Sequence, residues 1–287
     1  MVLLVRFGEI ALKSRYVRRQ LRDRLVGNIQ DLFAAEGVEC VTEADEARIY
    51  VGVDDPARAR SILGRVFGIV SISPATEGHG DLETLKRLAV EEAKRAGLGP
   101  GVTFAVRPRR VGSHPFTSQD LGKEIGGAIL DAFPGAKVNL GAPAVEIHVE
   151  VRENRGFVFR EFWEGPGGLP LGSQGRALAV VDGEPGMVAA WMAMKRGCRV
   201  VVAAPADSRD AEALRPWEPG LKVLDAPGSD DLEELIRVAR AGAVFLGTRG
   251  RDFDPARRPP VSVPVFEPVV GLEDRDVAAL AARIRAA

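Results

Sequence analysis

Cysteine is nearly missing: Cys40 and Cys198 are the only two in 287 residues and stand far apart, which argues against a disulfide framework and a thiolate metal cluster. Histidine is equally scarce, with three in the chain, and leaves little for a histidine metal centre. No run approaches the ~20 apolar residues that cross a bilayer. The start, Met1-Val-Leu-Leu-Val-Arg6, is too short an apolar stretch for a signal peptide, so a cytoplasmic protein is expected. An excess of either charge is lacking too: 39 Lys+Arg face 40 Asp+Glu, for a formal net charge of −1. Any nucleic-acid surface therefore has to be a local patch. Neither an internal repeat nor a low-complexity tail is visible. What remains is a length suited to two or three domains with sizeable cores.

The pattern changes character along the chain. Val2 to Arg6 reads as a strand, and Leu21, Leu25, Ile29 and Phe33 recur at helical spacing within a helix expected from Tyr16 to Glu36, stopped by Gly37. Strands at Val38–Thr42 and Arg48–Val53 and a helix at 55–66 complete a strand-helix-strand-strand-helix order, which suggests a ferredoxin-like unit. Gly68 to Pro74 reads as a strand, 81–96 as a helix, and 103–107 as a strand running into an arginine-rich loop. Ser118 is the expected cap of a helix from Gln119 to Phe133. Strands at 137–140, 145–152 and 157–162 follow, the second with clear alternation. A glycine-rich hinge, Gly165-Pro-Gly-Gly-Leu-Pro-Leu-Gly172, then leads into regular strand-helix alternation, which implies a parallel sheet. Its strands are expected at 178–181, 199–203, 222–224, 243–246 and 263–265, and its helices at 187–196, 210–214, 230–241 and 274–285.

Two basic clusters stand out. One face of the first helix and the segment before it carry Lys13, Arg15, Arg18, Arg19, Arg22 and Arg24, which is either a solvated surface or a stripe that follows a phosphate backbone. The second groups Arg107, Arg109 and Arg110, with His114 and Lys123 nearby, on a loop before a helix start. Guanidinium groups and free N–H groups both donate to phosphate oxygens at such a place. Together the clusters point to RNA. The other signal is a strand, a turn from Asp182 to Gly186, and a helix, the layout of a nucleotide-binding loop.

Several segments carry a family resemblance: Arg6-Phe-Gly-Glu-Ile-Ala-Leu-Lys-Ser14, Val66-Phe-Gly-Ile-Val-Ser-Ile-Ser-Pro-Ala75, Phe104-Ala-Val-Arg-Pro-Arg-Arg-Val-Gly-Ser-His-Pro-Phe-Thr-Ser118, the hinge, and Val188-Ala-Ala-Trp-Met-Ala-Met-Lys-Arg-Gly197. In this order they resemble tRNA 4-thiouridine synthetases (tRNA sulfurtransferases). The likeness thins after Gly197, where Ala243-Val-Phe-Leu-Gly247 and Pro264-Val-Phe-Glu-Pro-Val-Val-Gly-Leu-Glu-Asp274 continue it.

The resemblance implies a multidomain chain of α/β and α+β class. It has a ferredoxin-like domain over 1–62, a THUMP domain over 63–164, a linker over 165–176 and a truncated Rossmann-like PP-loop ATPase-type domain over 177–287. The first two would grip the acceptor stem and 3′ end of tRNA, with Lys13, Arg18 and Arg107, Arg109 and Arg110 where RNA contact is expected. The third would use ATP and Mg²⁺ to adenylate a uridine before sulfur transfer.

The chain departs from the family at the turn. There the family reads Ser-Gly-Gly-x-Asp-Ser, and this sequence reads Asp182-Gly-Glu-Pro-Gly-Met187, with Gly183 surviving and Gly186 beside it. Asp182 and Glu184 put negative charge where a triphosphate sits, costing on the order of a kcal/mol or more each if desolvated. Pro185 removes an N–H donor. Against the family pattern no rhodanese domain is expected, and Cys198 and Cys40 read as structural thiols, so no catalytic or metal-binding residue is assigned. The leading expectation is a tRNA-binding protein that has lost its adenylation site, working with a catalytic or sulfur-carrier partner protein. Family members are often homodimers. The alternatives are an active ATP-dependent tRNA sulfurtransferase supplied with sulfur by a partner, or thiazole sulfur transfer in thiamine biosynthesis.

Overall fold

The computed structural model describes residues 1–8, 14–226 and 231–287. Lys13 and the start of the helix expected at Asp230 lie outside the described residues. In chain order the elements are β1 (Val2–Phe7), α1 (Arg15–Ala35), β2 (Val41–Ala44), β3 (Ile49–Gly52), α2 (Pro56–Leu63), β4 (Ile69–His79), α3 (Leu82–Arg95), β5 (Thr103–Val111) and α4 (Ser118–Ala132). These are followed by β6 (Lys137–Val138), β7 (Val145–Arg152), β8 (Arg155–Phe159), β9 (Trp163–Glu164), β10 (Arg176–Val180), α5 (Glu184–Lys195), β11 (Arg199–Ala204) and α6 (Arg209–Glu212). The chain ends with β12 (Lys222–Asp225), α7 (Leu232–Ala239), β13 (Val244–Phe245), β14 (Val265–Phe266) and α8 (Asp274–Arg285). Two compact units result: Met1–Val5, Tyr50–Pro56 and Ile72–Trp163 form one, and Arg6–Ile49, Ala57–Ser71 and Glu164–Ala287 the other.

The first unit is a mixed sheet with strands in the order β3-β1-β4-β8-β7-β5-β6. Alternation along β7 sends Ile147, Val149 and Val151 to one face, where they pack with Phe104 and Val106 of β5 under Leu85 and Leu88 of α3 and Leu121, Ile125 and Ile129 of α4. β5 and β7 run parallel, pairing Arg107 with His148 and Arg110 with Val151. β7 and β8 are antiparallel and pair His148 with Phe159. Asp81 caps α3, accepting from the Thr84 N–H at 2.8 Å.

Two expectations are corrected in this unit. The segment carrying Arg107, Arg109 and Arg110 is part of β5, not a loop. Beyond Phe104 that strand pairs with β7 alone among the described strands, so Pro108 sits on a strand with one open side, where a missing N–H is tolerated. The cap of α4 is Thr117 rather than Ser118. Thr117 forms a reciprocal box with Asp120, and the residue three beyond Ser118 is Leu121, which has no acceptor to reach back with.

The second unit centres on a five-stranded sheet in the order β12-β11-β10-β13-β14, parallel throughout, as the strand-helix alternation implies. The apolar strands are buried on both faces: Met187, Val188, Trp191, Val277 and Ile284 of α5 and α8 fill one side, and Leu232, Ile236 and Ala239 of α7 the other. Phe67 enters the first of these cores, 5.5 Å from the Trp191 ring and stacked on Trp217 at 5.3 Å. The glycine-rich segment is tied down along its length. The Gly68 N–H donates to Gly167 O, Gly167 N–H to Ile69 O, Leu169 N–H to Lys195 O, and Gln174 N–H to Gly197 O. It is an ordered strap rather than an open hinge. α1 is capped by Ser14 and ends at Gly37, whose φ of +63° suits a residue without Cβ.

Candidate nucleic-acid interface

In the first unit, alternation along β5 turns Arg107 and Arg109 to the face away from α3 and α4, and Arg110 to the helix side. Most of the candidate cations have partners. Arg107 donates from Nε (3.0 Å) and Nη2 (2.6 Å) to Glu146 Oε1, and from Nη2 to Leu140 O at 2.9 Å. That guanidinium is the main cause holding the Glu146 carboxyl below the usual range. Arg110 Nη1 donates to Gly112 O at 3.0 Å. His114 donates from Nε2 to Val111 O at 3.0 Å and stacks on Phe116 at 5.5 Å, so it braces the bend after β5. Arg109 and Lys123 are exposed; Arg109 makes no ion pair among the described residues, and Lys123 lies near Asp120, whose pKa is held down first by Thr117 and last by the Lys123 charge.

The feature that residue patterns missed lies on α4. Gly122, Gly126 and Gly127 share one stretch of the helix, which lines a groove of about 740 Å³ with Pro108, Lys86, Lys123 and Leu140. A methyl group at Gly122 would meet Pro108 at 3.1 Å, so its smallness serves packing. At Gly126 and Gly127 a methyl group would meet nothing within 4 Å. Glycine in a helix interior costs about 1 kcal/mol relative to alanine, and nothing inside the protein offsets that at these two positions. Lys86 bridges α3 and α4 through Glu124 at 2.9 Å and Glu83 at 3.2 Å, and Glu124 chiefly raises its pKa. The acids lining the groove are Glu124, so paired, and Asp131. The sequence signal was present as Gly122-Lys-Glu-Ile-Gly-Gly127 inside a helix, where glycine is out of place.

The second unit carries the other basic cluster. Arg22 is spent within the protein, donating to Asp23 Oδ1 at 2.7 Å and Asp45 O at 3.2 Å. Arg19 reaches Asp23 at 3.8 Å on an open surface, a contact worth little. Arg15 is exposed and Arg18 half-buried, and neither pairs with a carboxylate among the described residues.

The nucleotide-loop candidate lies between β10 and β13, the point where a 3-2-1-4-5 strand order reverses and α/β sheets open a crevice. The turn is shorter than the sequence suggested: α5 begins at Glu184, with Gly183 as its cap, because Glu184 and Pro185 both suit a first helical turn. Asp182 is exposed. Glu184 accepts from Arg285 at 3.0 Å, and Arg285 also reaches Asp210 at 2.8 Å, so that acid is held in an ion-pair network. Gly186 is a packing glycine. A methyl group there would lie 2.6 Å from Val180 O, and one at Gly247 would lie 2.3 Å from Gly186 N. Among the described residues no cluster of three His, Cys, Asp or Glu is placed to hold a metal. Burial pushes both thiols up, Cys198 more deeply set than Cys40, away from the thiolate a nucleophile needs.

Residues 2–73 match the ThiI ferredoxin-like domain family and residues 79–160 the THUMP domain family. The chain is 39% identical over 220 residues to a probable tRNA sulfurtransferase of Methanothermobacter thermautotrophicus, covering 74% of this chain and 55% of that one. It is 38% identical over 203 residues to the tRNA sulfurtransferase of Pyrobaculum aerophilum, covering 70% and 41%. The chain thus spans about half the length of these curated relatives. Among solved structures, PH1313 from Pyrococcus horikoshii superposes with a TM-score of 0.84 at 30% identity over 99% of both chains. A 4-thiouridine synthetase in complex with RNA and bound ATP superposes with a TM-score of 0.78 at 22% identity, over 99% of this chain and 84% of that one, a likeness of fold.

Proposed function

The chain belongs to the tRNA sulfurtransferase family, and on that premise we propose that it is a tRNA-binding protein whose nucleotide loop no longer adenylates. The observation that carries the binding half is the open glycine face of α4. Bare helix backbone at Gly126 and Gly127 lets a sugar-phosphate chain lie close, with Lys123 beside it to neutralise phosphate. Arg109, Arg15 and Arg18 supply further cations with no carboxylate partner among the described residues, each on its own unit. Arg107, Arg110, His114 and Arg22, which the sequence also singles out, contribute mainly by holding local structure through the hydrogen bonds they make, whereas Arg19, with only a long contact to Asp23, stays available to phosphate.

What supports the loss of adenylation is the donor set at the β10–α5 turn. A triphosphate needs free N–H groups and no competing charge. Here Pro185 has no N–H, Glu184 is fixed at the helix start by Arg285, and Asp182 adds a second carboxylate. These residues do not fit ATP and Mg²⁺, so a sulfur-transfer partner, where one acts on the same tRNA, would bring its own activation chemistry. The test is AMP and pyrophosphate release from ATP with Mg²⁺, with and without unmodified tRNA, on protein shown to retard tRNA on a gel. Retardation without release is the expected result. Release that depends on tRNA would restore the active-sulfurtransferase reading.

A further inference from the structure

The second unit contains a cavity that the tRNA reading leaves unused. It is an open pocket of about 870 Å³, within the usual range of small-molecule sites. Its lining includes Gln174, Cys198 and Ala243, which precede β10, β11 and β13. The cavity therefore lies at the amino ends of the strands, opposite the β10–α5 turn. Phe245 and Phe266 give it a flat aromatic wall: the two rings stack at 5.1 Å, and Phe266 is 48% exposed with no core to fill, while Trp191 lies 2% exposed beneath the floor. Two cations gather at the same indole, Lys195 Nζ 5.2 Å and Arg283 Cζ 5.7 Å from its centroid. Among the described residues neither is paired with a carboxylate. The acid of the lining, Glu267, is held by Arg258 at 2.8 Å, with its side chain only 6% exposed. Burial, with Arg283 as a second cause, pushes the Lys195 pKa down. A helix carboxyl end attracts one cation, but two at one indole, beside an apolar cavity and with no carboxylate partner among the described residues, leave a local positive excess.

We propose that this cavity binds an organic anion with a flat aromatic body, the ring against the exposed Phe266 and the anionic group near Lys195 and Arg283. Nucleoside monophosphates and aromatic carboxylates share that chemistry. The cation pair selects charge, the aromatic wall selects shape, and the attraction is strengthened by the partly desolvated position of Lys195.

The probe is 8-anilinonaphthalene-1-sulfonate, an aromatic sulfonate that fluoresces when bound, titrated into the full chain with calorimetric stoichiometry. One saturable site is expected, weakened about tenfold by Lys195→Met and likewise by Arg283→Met, in variants that melt as the wild type does. Arg283 is exposed, so its variant tests the cation even should Lys195→Met disturb packing. Displacement by AMP or by indole-3-acetate supports the proposal and says which source of anion the site prefers. It is overturned by absence of a saturable site, by unchanged affinity in both variants, or by equal affinity for neutral N-phenyl-1-naphthylamine, which lacks the sulfonate.

Discussion

Replacing Gly126 and Gly127 together by alanine moves stability and function in opposite directions. Both positions are in the interior of α4, both have helical backbone, and a methyl group at either meets nothing within 4 Å. Each substitution therefore gains helix propensity without strain, about 1 kcal/mol apiece. The melting temperature of the first unit should rise by a few degrees, at about 2–4 °C per kcal/mol for a chain of this size. On the proposed binding mode the same methyl groups stand between helix backbone and RNA, and affinity for unmodified tRNA should fall on the order of tenfold. Differential scanning fluorimetry and a filter-binding titration at fixed salt measure the two quantities on one preparation. Gly122→Ala is the control: its methyl group meets Pro108 at 3.1 Å, so it should gain less stability. A double variant that is more stable and binds tRNA as tightly as wild type would refute the claim that RNA lies on this face.

Arg109→Ala with Lys123→Ala should weaken binding to all tRNAs alike and lower the slope of log affinity against log salt by roughly 1.5; an unchanged slope shows that neither meets phosphate. Glu218 is 4% exposed, with Oε2 lacking a partner, and burial raises its pKa. Its charged form is disfavoured in the fold, so stability present below the unfolded carboxylate value is lost as pH rises through the folded one. Thermal melts of Glu218→Gln should therefore gain on wild type from pH 4 to pH 7, and a constant difference rejects this. Asp81 has the opposite sign: the Thr84 N–H is the first cause lowering its pKa to about 2. Its cap stabilises above the unfolded value and is lost as pH falls through the folded one. Asp81→Ala should be less stable than wild type at pH 7, with the gap closing toward pH 2, and a pH-independent gap removes the cap as its origin.

Periodicity was enough to read the parallel sheet and most helices, since Leu25, Ile29 and Phe33 or Val277, Ala281 and Ile284 repeat where a buried stripe must. The errors fall where local and tertiary signals compete. Pro108 suggests a loop, yet the strand tolerates it because one side of β5 is open. Pro185 and Gly186 suggest a turn, yet proline suits a first helical turn, and Gly186 is required by the Val180 carbonyl rather than by phosphate. Charge marked Arg107 and Arg110 as readily as Arg109 and Lys123. The three-dimensional fold separates a guanidinium spent on Glu146 from one with no carboxylate partner among the described residues. The glycine face of α4 escaped because a sequence records the propensity penalty of glycine and not the empty space in front of it.

The second unit has a packing role that does not depend on whether the β10–α5 turn holds a nucleotide. Phe67, a residue of the ThiI ferredoxin-like match, is 2% exposed between Trp191 and Trp217. Arg65 donates to Pro216 O at 3.2 Å and pairs with Glu36 at 2.6 Å, and the Asn28 amide donates to Leu171 O at 3.2 Å. Removing the C-terminal sheet would strip Phe67 of its packing, worth about 3–5 kcal/mol by analogy with truncation of buried phenylalanine, and leave Arg65 without one of its acceptors. That is a large share of the 5–15 kcal/mol by which folded proteins are typically stable. Phe67, Arg65 and Asn28 thus rest on α5 and on the loops that carry Leu171, Pro216 and Trp217, whether or not the β10–α5 turn holds a nucleotide.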